Sequence, residues 1–279
     1  MGEEKKIRPV TARMIFVIGI IIICILCINF AVYLTIVDKD EKPTKEENVV
    51  VDTVALSENF QNIFDNKLNS QNYSIQSVSK KDTSKELIYT NYQLEEKKEG
   101  KYDVNINMPF ININNTTADN INKEIQNLFY SKINDILVQI NDTEIIYSVK
   151  YKAYVNDNIL SLVISSNLKE GANPQRLIIK TYNYNLSSNE TLNINQVLNY
   201  RTLNEKTVQN KINEVIKEAE QTASTYKELG YTKYLRDPKD DMYKVQNTSV
   251  FFLGEGKALY ILYPYGNSRN TSEFDLLVL

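Results

Sequence analysis

The feature that most constrains this chain is an uninterrupted apolar run over residues 14–37, which holds no charged side chain. At a rise of ~1.5 Å per residue, a helix of this length reaches about 36 Å, enough to cross a hydrocarbon core about 30 Å thick. The run therefore predicts a single transmembrane helix, preceded by a short tail over residues 1–13. A cleaved signal peptide is the alternative, but the run exceeds a usual signal core and no small-x-small cleavage pattern follows it.

The charges on either side of the run indicate its orientation. Basic residues precede it and acidic residues follow it: Lys5, Lys6, Arg8 and Arg13 before, and Asp38, Asp40 and Glu41 after. Because short basic flanks stay in the cytoplasm, we expect a single-pass protein with its N-terminus inside and its C-terminal domain extracellular. The expected location is the cell membrane. The abundance of Asn, Lys and Ile is typical of a low-GC genome and points to a Gram-positive bacterium.

The composition excludes several kinds of chemistry. The 279 residues include no His and no Trp, and the 2 Cys residues, Cys24 and Cys27, lie inside the apolar run. Without His there is no Ser-His-Asp or Cys-His nucleophile and no His-ligated zinc site. The net charge of −3 becomes more negative once the basic tail is set aside, and an acidic body has no general attraction for nucleic acid. We therefore expect a protein that is not an enzyme and that needs no cofactor, no metal and no nucleic acid.

Beyond the run, the sequence predicts a juxtamembrane linker or stalk over residues 38–84 and two folded parts, residues 85–200 and 201–279. Residues 51–68 have a weak helical pattern, which a disordered stalk would show equally. Strands with period-two alternation are predicted at residues 86–96, 101–110, 145–155, 160–164 and 177–186, and then at 249–253, 257–263 and 273–279. Because most strands follow one another instead of alternating with helices, the predicted fold class is α+β.

Each part also contains one long predicted helix. Thr116 and Asp119 form a helix start signal, and apolar residues then recur at spacings of three and four as far as Ile140. In the second part, Thr202 to Glu205 reads as a capping box and Gly230 as the residue after the helix. The sequence thus predicts two antiparallel sheets, each packed by one long helix.

The candidate binding site comes from the 19 tyrosines of the chain. Many alternate along predicted strands, where the ordinary interpretation is a half-buried sheet face. Tyr263 and Tyr265 differ because Pro264 starts a predicted loop, residues 264–271, where aromatic side chains become available to a partner. Five residues of this segment form the candidate partner-binding site: Tyr263, Pro264, Tyr265, Ser268 and Arg269.

Two other motifs favour ordinary interpretations. Gly254-x-Gly256 lies between two predicted strands and does not open a helix, so it does not match a phosphate-binding loop. Four acidic residues could supply paired carboxylates or calcium ligands, but they lack the spacing of a known calcium loop, and a solvated acidic surface is the simpler interpretation: Asp237, Asp240, Asp241 and Glu255.

Several segments resemble a known family. They are SVKYKAY (148–154), NILSLVI (158–164), TYNYNL (181–186), VFFL (250–253) and FDLLV (274–278). Together they resemble the extracytoplasmic domain of anti-sigma-V factors, a domain that also resembles the non-catalytic region of some peptidoglycan deacetylases. The resemblance covers residues 85–279.

The resemblance implies a two-part α+β fold and, from the anti-sigma members, a sensor that binds lysozyme and is then cleaved within the membrane. Two departures limit it. The tail of residues 1–13 is too short for the cytoplasmic domain that sequesters a sigma factor, and no deacetylase module, which would need His ligands, is expected. What carries over is the outer domain and a partner-binding loop at Pro264 and Tyr265.

Three hypotheses follow from the sequence. The first is a membrane-anchored, non-enzymatic binding or sensor domain of the cell envelope, whose ligand is a lysozyme-like protein or peptidoglycan. The second is an anti-sigma-type signal transducer that works by regulated proteolysis. The third, and least favoured, is a cell-wall hydrolase that uses a carboxylate pair.

Overall fold

Two sheets packed face to face, each with helices on its outer side, make up the part of the chain that the structure describes. The structure is a computed structural model and describes residues 52–70, 78–138, 143–231, 233–265 and 273–279. All of them belong to one compact unit, Val51–Leu279. The class is mixed α+β, as predicted.

The first sheet has seven strands within the described residues: β1 (Leu68–Ser70), β2 (Ile88–Lys98), β3 (Tyr102–Ile111), β4 (Ile145–Asn156), β5 (Ile159–Glu170), β6 (Arg176–Asn185) and β7 (Glu190–Thr191). Its order is β2-β3-β4-β5-β6-β7, with β1 beside β4. The second sheet is antiparallel, in the order β10-β9-β8: β8 (Phe251–Leu253), β9 (Leu259–Tyr265) and β10 (Glu273–Val278).

The helices of the described residues are α1 (Thr53–Glu58), α2 (Thr116–Ile125), α3 (Ser131–Val138), α4 (Ile194–Tyr200) and α5 (Glu205–Glu228). A π-helical segment, Gln126–Tyr130, joins α2 to α3. Short 3₁₀ turns lie at Phe60–Asn62, Asp241–Tyr243, Val245–Asn247 and Glu255–Lys257. None of the helices in the described ranges is long and apolar enough to span a bilayer. The predicted tail and transmembrane helix, residues 1–37, lie outside those ranges.

The first sheet is not purely antiparallel, which corrects the prediction. β3 and β4 run parallel, with Tyr102 opposite Ile145 and Ile106 opposite Val149. The helical segment between them carries the chain back to the same end of the sheet, and parallel neighbours need a crossover of this kind. β1 is also parallel to β4. The remaining neighbours, which include the predicted hairpins, are antiparallel.

The structure also corrects both predicted helix starts. Asn115, not Thr116, caps α2, because its side-chain Oδ1 accepts from the backbone N–H groups of Thr117 (2.7 Å) and Ala118 (3.1 Å). Asn204 caps α5. Thr202, with φ of +55°, lies in the left-handed region just after α4 and takes no part in the cap of α5. Asn is an effective N-cap for the same reason as Thr, since both place a side-chain acceptor near the first free N–H groups.

The predicted end of α5 is confirmed. Gly230 follows the helix with φ of +87°, a conformation that costs glycine little because it has no Cβ. Its N–H donates to the carbonyl of Lys227, and the N–H of Tyr231 donates to the carbonyl of Tyr226, both at 3.0 Å. These two bonds define a Schellman motif. The rings of Tyr226 and Tyr231 also meet edge to face at 5.9 Å, which supplies the apolar contact that accompanies this motif.

Three hydrophobic clusters fill the spaces between the layers. The first lies between the seven-stranded sheet and α2–α3, and the second between the three-stranded sheet and α4–α5. The third lies between the two sheets. β5 is buried on both faces for this reason: Leu162 belongs to the first cluster, whereas Val163 belongs to the third. The two predicted parts, residues 85–200 and 201–279, therefore share a core.

Part of the predicted stalk, residues 38–84, belongs to the folded body, which also corrects the prediction. Phe60 is only 2% exposed, and its ring lies 6.1 Å from that of Tyr260 and 5.4 Å from that of Phe274. β1 adds backbone pairing to β4. Residues 52–70 are part of the body because their apolar side chains pack against the cluster between the two sheets. Residues 38–51 and 71–77 lie outside the described ranges.

Candidate functional site

A cavity of about 510 Å³ opens between β2, β3 and α2. Its apolar base includes Met108 and Ile125, both buried. Partly exposed aromatic rings form its wall, and amide and charged side chains form its rim: Tyr92, Phe110, Tyr130, Asn91, Gln126 and Lys123. We call this cavity the bulge pocket. Its volume lies within the range of small-molecule binding sites.

An irregularity in β2 places the rim residue Asn91. Thr90 is opposite Pro109 and Tyr92 is opposite Met108, so Asn91 has no partner on β3 and forms a β-bulge. Proline has no backbone N–H to contribute to a sheet ladder, and the bulge lies where β2 passes this residue. Bulges redirect a side chain and are common beside functional sites.

A second irregularity, in the helix, lies opposite the first. The π-helical segment Gln126–Tyr130 interrupts the helix between α2 and α3, and segments of this kind are frequent at functional sites. The ring of Tyr130 meets that of Tyr92 edge to face, at a centroid distance of 5.1 Å and an interplanar angle of 90°. The bulge and the π segment therefore contribute to the same wall of the pocket.

The side chain of Asn122 fixes the helix against the sheet beneath the pocket. Its Oδ1 accepts from the N–H of Ile111 at 2.8 Å, and its Nδ2 donates to the carbonyl of Ile111 at 2.9 Å. Asn122 thereby pairs with the end of β3 as a neighbouring strand would. Because the carbonyl oxygen and the amino group of the Asn122 side chain are both used, its role is to position α2 against β3.

The charged side chains at the rim differ in whether they have an ion-pair partner. Lys81 and Asp119 form an ion pair, whereas Lys123, which also lines the pocket, has no ion-pair partner among the described residues. Burial raises the pKa of Tyr92, with smaller contributions from Tyr130 and Glu96. Its hydroxyl therefore remains protonated and able to donate at neutral pH. The pocket thus presents aromatic rings, neutral hydrogen-bonding groups and one cation, Lys123, that is unpaired within the described part of the chain.

The described residues of the site predicted from the sequence, Tyr263, Pro264 and Tyr265, do not line the bulge pocket. Tyr263 and Tyr265 are on β9, which continues past the predicted end of this strand because β10 pairs with it as far as Tyr265. Their side chains are buried, at 4% and 7% exposure, and Pro264 between them is partly exposed. Ser268 and Arg269 lie outside the described residues. The binding of a partner by this segment stays a prediction.

Tyr265 belongs to a buried charge cluster that sequence reasoning missed. The guanidinium of Arg236 lies over its ring, with Cζ 4.0 Å from the ring centroid. Arg236 also donates from Nη2 to Oδ1 of Asp275 at 3.1 Å and from Nη1 to Oε2 of Glu273 at 3.3 Å. Burial raises the pKa of Asp275, and the bonds from Arg236 partly offset this effect. The alternation of Glu273 and Asp275 on one strand was visible in the sequence, but no local spacing links them to Arg236.

Two of the acidic residues that the sequence suggests as possible metal ligands, Asp237 and Asp240, make local hydrogen bonds. Asp237 accepts from the N–H of Lys239 at 3.0 Å, and Asp240 accepts from that of Met242 at 2.9 Å. Both side chains thus cap turns. Across the described ranges, no three His, Cys, Asp or Glu side chains are grouped in a way that could hold a metal ion.

Comparisons with known proteins give limited similarity. No family model matches the chain, and no curated protein matches it. A solved structure of a DUF3298 family protein from Pseudomonas aeruginosa PAO1 is 14% identical, with a TM-score of 0.36, and the match covers 63% of this chain and 80% of that one. A DUF3298 family member from Bacteroides fragilis NCTC 9343 is 9% identical, with a TM-score of 0.37, covering 69% of this chain and 88% of that one. At these values the likeness assigns neither a family nor a function to this chain.

Proposed function

We propose that this protein is a non-enzymatic binding module of the bacterial cell envelope, and that the bulge pocket binds a peptidoglycan fragment. The observation that carries the proposal is the convergence of a β-bulge and a π-helical segment on one pocket. Both irregularities cost regular backbone hydrogen bonding, and such features persist where a side chain must be placed for function.

The proposed location outside the cell rests on the N-terminal sequence. Residues 14–37 are the proposed anchor, and the basic residues before them set the inside end. A protease-sensitive tag at the C-terminus tests this orientation. We expect the tag to be cleaved on intact cells, and protection of the tag until the membrane is opened would contradict the proposal.

The test of ligand binding is co-sedimentation of residues 51–279 with purified peptidoglycan sacculi. We expect saturable retention of the wild-type body and weaker retention of Asn91→Ala, which removes an exposed rim amide. Gln93→Ala is the matched control, because Gln93 is an exposed amide on the same strand and does not line the pocket. Failure of the folded wild-type body to sediment with sacculi would contradict the proposal.

A lysozyme-like protein is the second candidate ligand. The observation that favours it is the position of Pro264, a partly exposed residue at the end of β9, directly before the segment that carries Ser268 and Arg269. Surface residues beside a connecting segment are suited to protein contacts. A pull-down with immobilised lysozyme distinguishes the two candidates, because Pro264→Ala should weaken lysozyme binding and leave retention on sacculi unchanged.

Signal transduction by regulated proteolysis is an extension of the same proposal. It would couple ligand binding outside to cleavage near residues 14–37 and to a separate partner of the short tail. Accumulation of a ligand-dependent membrane fragment in cells supports this extension. If the body binds the ligand but the full-length protein stays uncleaved after ligand addition, the signalling role is contradicted and the binding role stands.

A further inference from the structure

We propose that the bulge pocket recognises a carboxylated N-acyl amino sugar. This inference rests on the proposed function and names the ligand class of the same site. Three groups of side chains carry it: partly exposed aromatic rings, unengaged amides and one unpaired cation. Each group matches a different part of such a sugar.

The aromatic wall suits the carbon skeleton of a sugar ring. Tyr92 and Tyr130 meet edge to face at 5.1 Å, and Phe110 adds a third partly exposed ring. Aromatic side chains combine a large apolar surface with low conformational freedom, and tyrosine adds a polar hydroxyl at its edge. A ligand with C–H groups on one face and hydroxyls on its periphery is complementary to this wall.

The rim amides suit an N-acyl group. Asn91 and Gln126 line the pocket, and the side chain of neither makes a hydrogen bond to any other described residue. Each can donate and accept at once, and an acyl amide presents one donor and one acceptor. Asn122, in contrast, is occupied by Ile111, so Asn91 and Gln126 are the amides open to a ligand.

The charge balance suits a carboxylate and disfavours a polyphosphate. Asp119 neutralises Lys81, which leaves Lys123 to attract an anion. Asp119 also lies in the first turn of α2, where its charge cancels the attraction that a helix N-terminus has for phosphate. One cation beside hydrogen-bonding amides therefore fits a monoanionic, amide-bearing ligand.

The experiment is a set of titrations of the full chain in detergent micelles with N-acetylmuramic acid and N-acetylglucosamine, which differ in the carboxylated lactyl group. We expect tighter binding of N-acetylmuramic acid. An exposed ion pair contributes up to about 1 kcal/mol, or about fivefold in affinity. Lys123→Gln should therefore lower affinity for N-acetylmuramic acid by up to about fivefold and leave that for N-acetylglucosamine unchanged.

Two matched controls separate recognition from folding. Lys217→Gln makes the same change of charge on an exposed position of α5 and should leave both affinities unchanged. Asn91→Ala should weaken both sugars, whereas Gln93→Ala should weaken neither. Unchanged circular dichroism spectra and melting temperatures establish that the variants are folded.

Three results would overturn the inference. The first is equal affinity of the wild type for the two sugars, and the second is a preference that survives Lys123→Gln. The third is the absence of binding to either sugar. If sacculi are still retained in that case, the ligand class is wrong and the proposed function stands, whereas loss of sacculus binding as well removes both.

Discussion

Asn183 joins the two sheets through the backbone of Phe251, because its Nδ2 donates to the carbonyl of Phe251 at 2.8 Å. Its Oδ1 accepts from the hydroxyl of Ser161 at 2.7 Å, and the N–H of Leu253 donates to that hydroxyl at 3.1 Å. The hydroxyl of Thr181 accepts from the N–H of Phe251 at 3.2 Å. Side chains of the first sheet thus satisfy the edge of β8 that β9 leaves unpaired, and this arrangement fixes where the sheets meet.

The first prediction concerns this junction. Asn183→Leu should lower the free energy of unfolding by about 2–4 kcal/mol, because it leaves the carbonyl of Phe251 and the hydroxyl of Ser161 buried without their partner. Urea unfolding followed by circular dichroism measures the change. Asn120→Leu, on an exposed position of α2, is the control and should change stability by less than about 0.5 kcal/mol. Equal effects of the two variants would show that the junction contributes nothing specific.

The second prediction concerns the space beside Tyr260. A Cβ on Gly254 would lie 2.5 Å from Cε2 of Tyr260, a ring that is 1% exposed and stacked on Phe252 at 4.5 Å. Gly254→Ala should therefore destabilise the body by about 1–3 kcal/mol through overpacking. The cost should fall when the same change is made in a Tyr260→Leu background, because the contacting ring atom is removed. A cost that is identical in both backgrounds would place its origin in the backbone.

The third prediction concerns the buried charge cluster. Arg236→Met should destabilise the body by about 3 kcal/mol at neutral pH, because it leaves Asp275 buried without its cation. Asp275 already has a raised pKa in the wild type, and the loss of Arg236 raises it further. The groups that face this carboxylate in the wild type also include Tyr243, which stays neutral at these pH values.

The pH dependence of the destabilisation by Arg236→Met follows from the raised pKa of Asp275. A carboxyl whose pKa is higher in the folded state than in the unfolded state takes up its proton at a higher pH when folded. Its destabilising effect is therefore smallest near pH 4 and grows as the pH rises through the folded pKa. The stability deficit of Arg236→Met relative to the wild type should therefore shrink at acidic pH. Asp275→Asn in the same background should remove this pH dependence, and a deficit that stays constant with pH would contradict the assignment.

The fourth prediction concerns the turn between β4 and β5. Asp157 has φ of +49°, accepts a hydrogen bond from the hydroxyl of Tyr200 and pairs with Lys257 at 3.0 Å. The hydrogen bond from Tyr200, followed by the interactions with Lys257, lowers the pKa of Asp157. The stability that its charge contributes is present above about pH 4 and is lost as the pH falls through the lowered pKa.

Asp157→Asn tests this contribution with little change in shape, since Asn also tolerates the left-handed conformation. At neutral pH the variant should be less stable by no more than about 1 kcal/mol, because the pair is largely exposed. The difference from the wild type should shrink as the pH falls below about 4 and vanish below the lowered pKa of Asp157, where its carboxyl is neutral in the folded state as well. A difference that persists in acid would assign the effect to backbone strain.

Local features of the fold were predictable from the sequence. The hairpin strands, the apolar stripe of α5 and the glycine after it depend on residues near one another in the chain, and side-chain periodicity reports them directly. The parallel pairing of β3 with β4 was not predicted, because alternation gives the faces of a strand and not its neighbour. The packing of Phe60 between the sheets was missed for the same reason, since a short apolar segment does not reveal its distant contacts.

The candidate sites, too, depend on contacts between residues that are distant in the sequence. The sequence predicts Tyr265 in a loop, but it pairs with Glu273 of β10 and lies in the sheet. The residues of its charge cluster, Arg236 and Asp275, are distant from each other in the sequence. The bulge pocket was missed because β2, β3 and α2 meet only in the folded protein. Pro109 was the available signal, since a proline within a predicted strand indicates an edge or an irregularity.

Mapping the ligand contact on the body itself tests directly whether the bulge pocket binds peptidoglycan fragments. Muropeptides released from peptidoglycan are titrated into ¹⁵N-labelled residues 51–279, and amide chemical shifts are followed. We predict saturable shifts at Asn91, Tyr92 and Gln126–Tyr130, with none around Tyr265. Shifts that centre on Tyr265, or the absence of any shift in a folded sample, would contradict it.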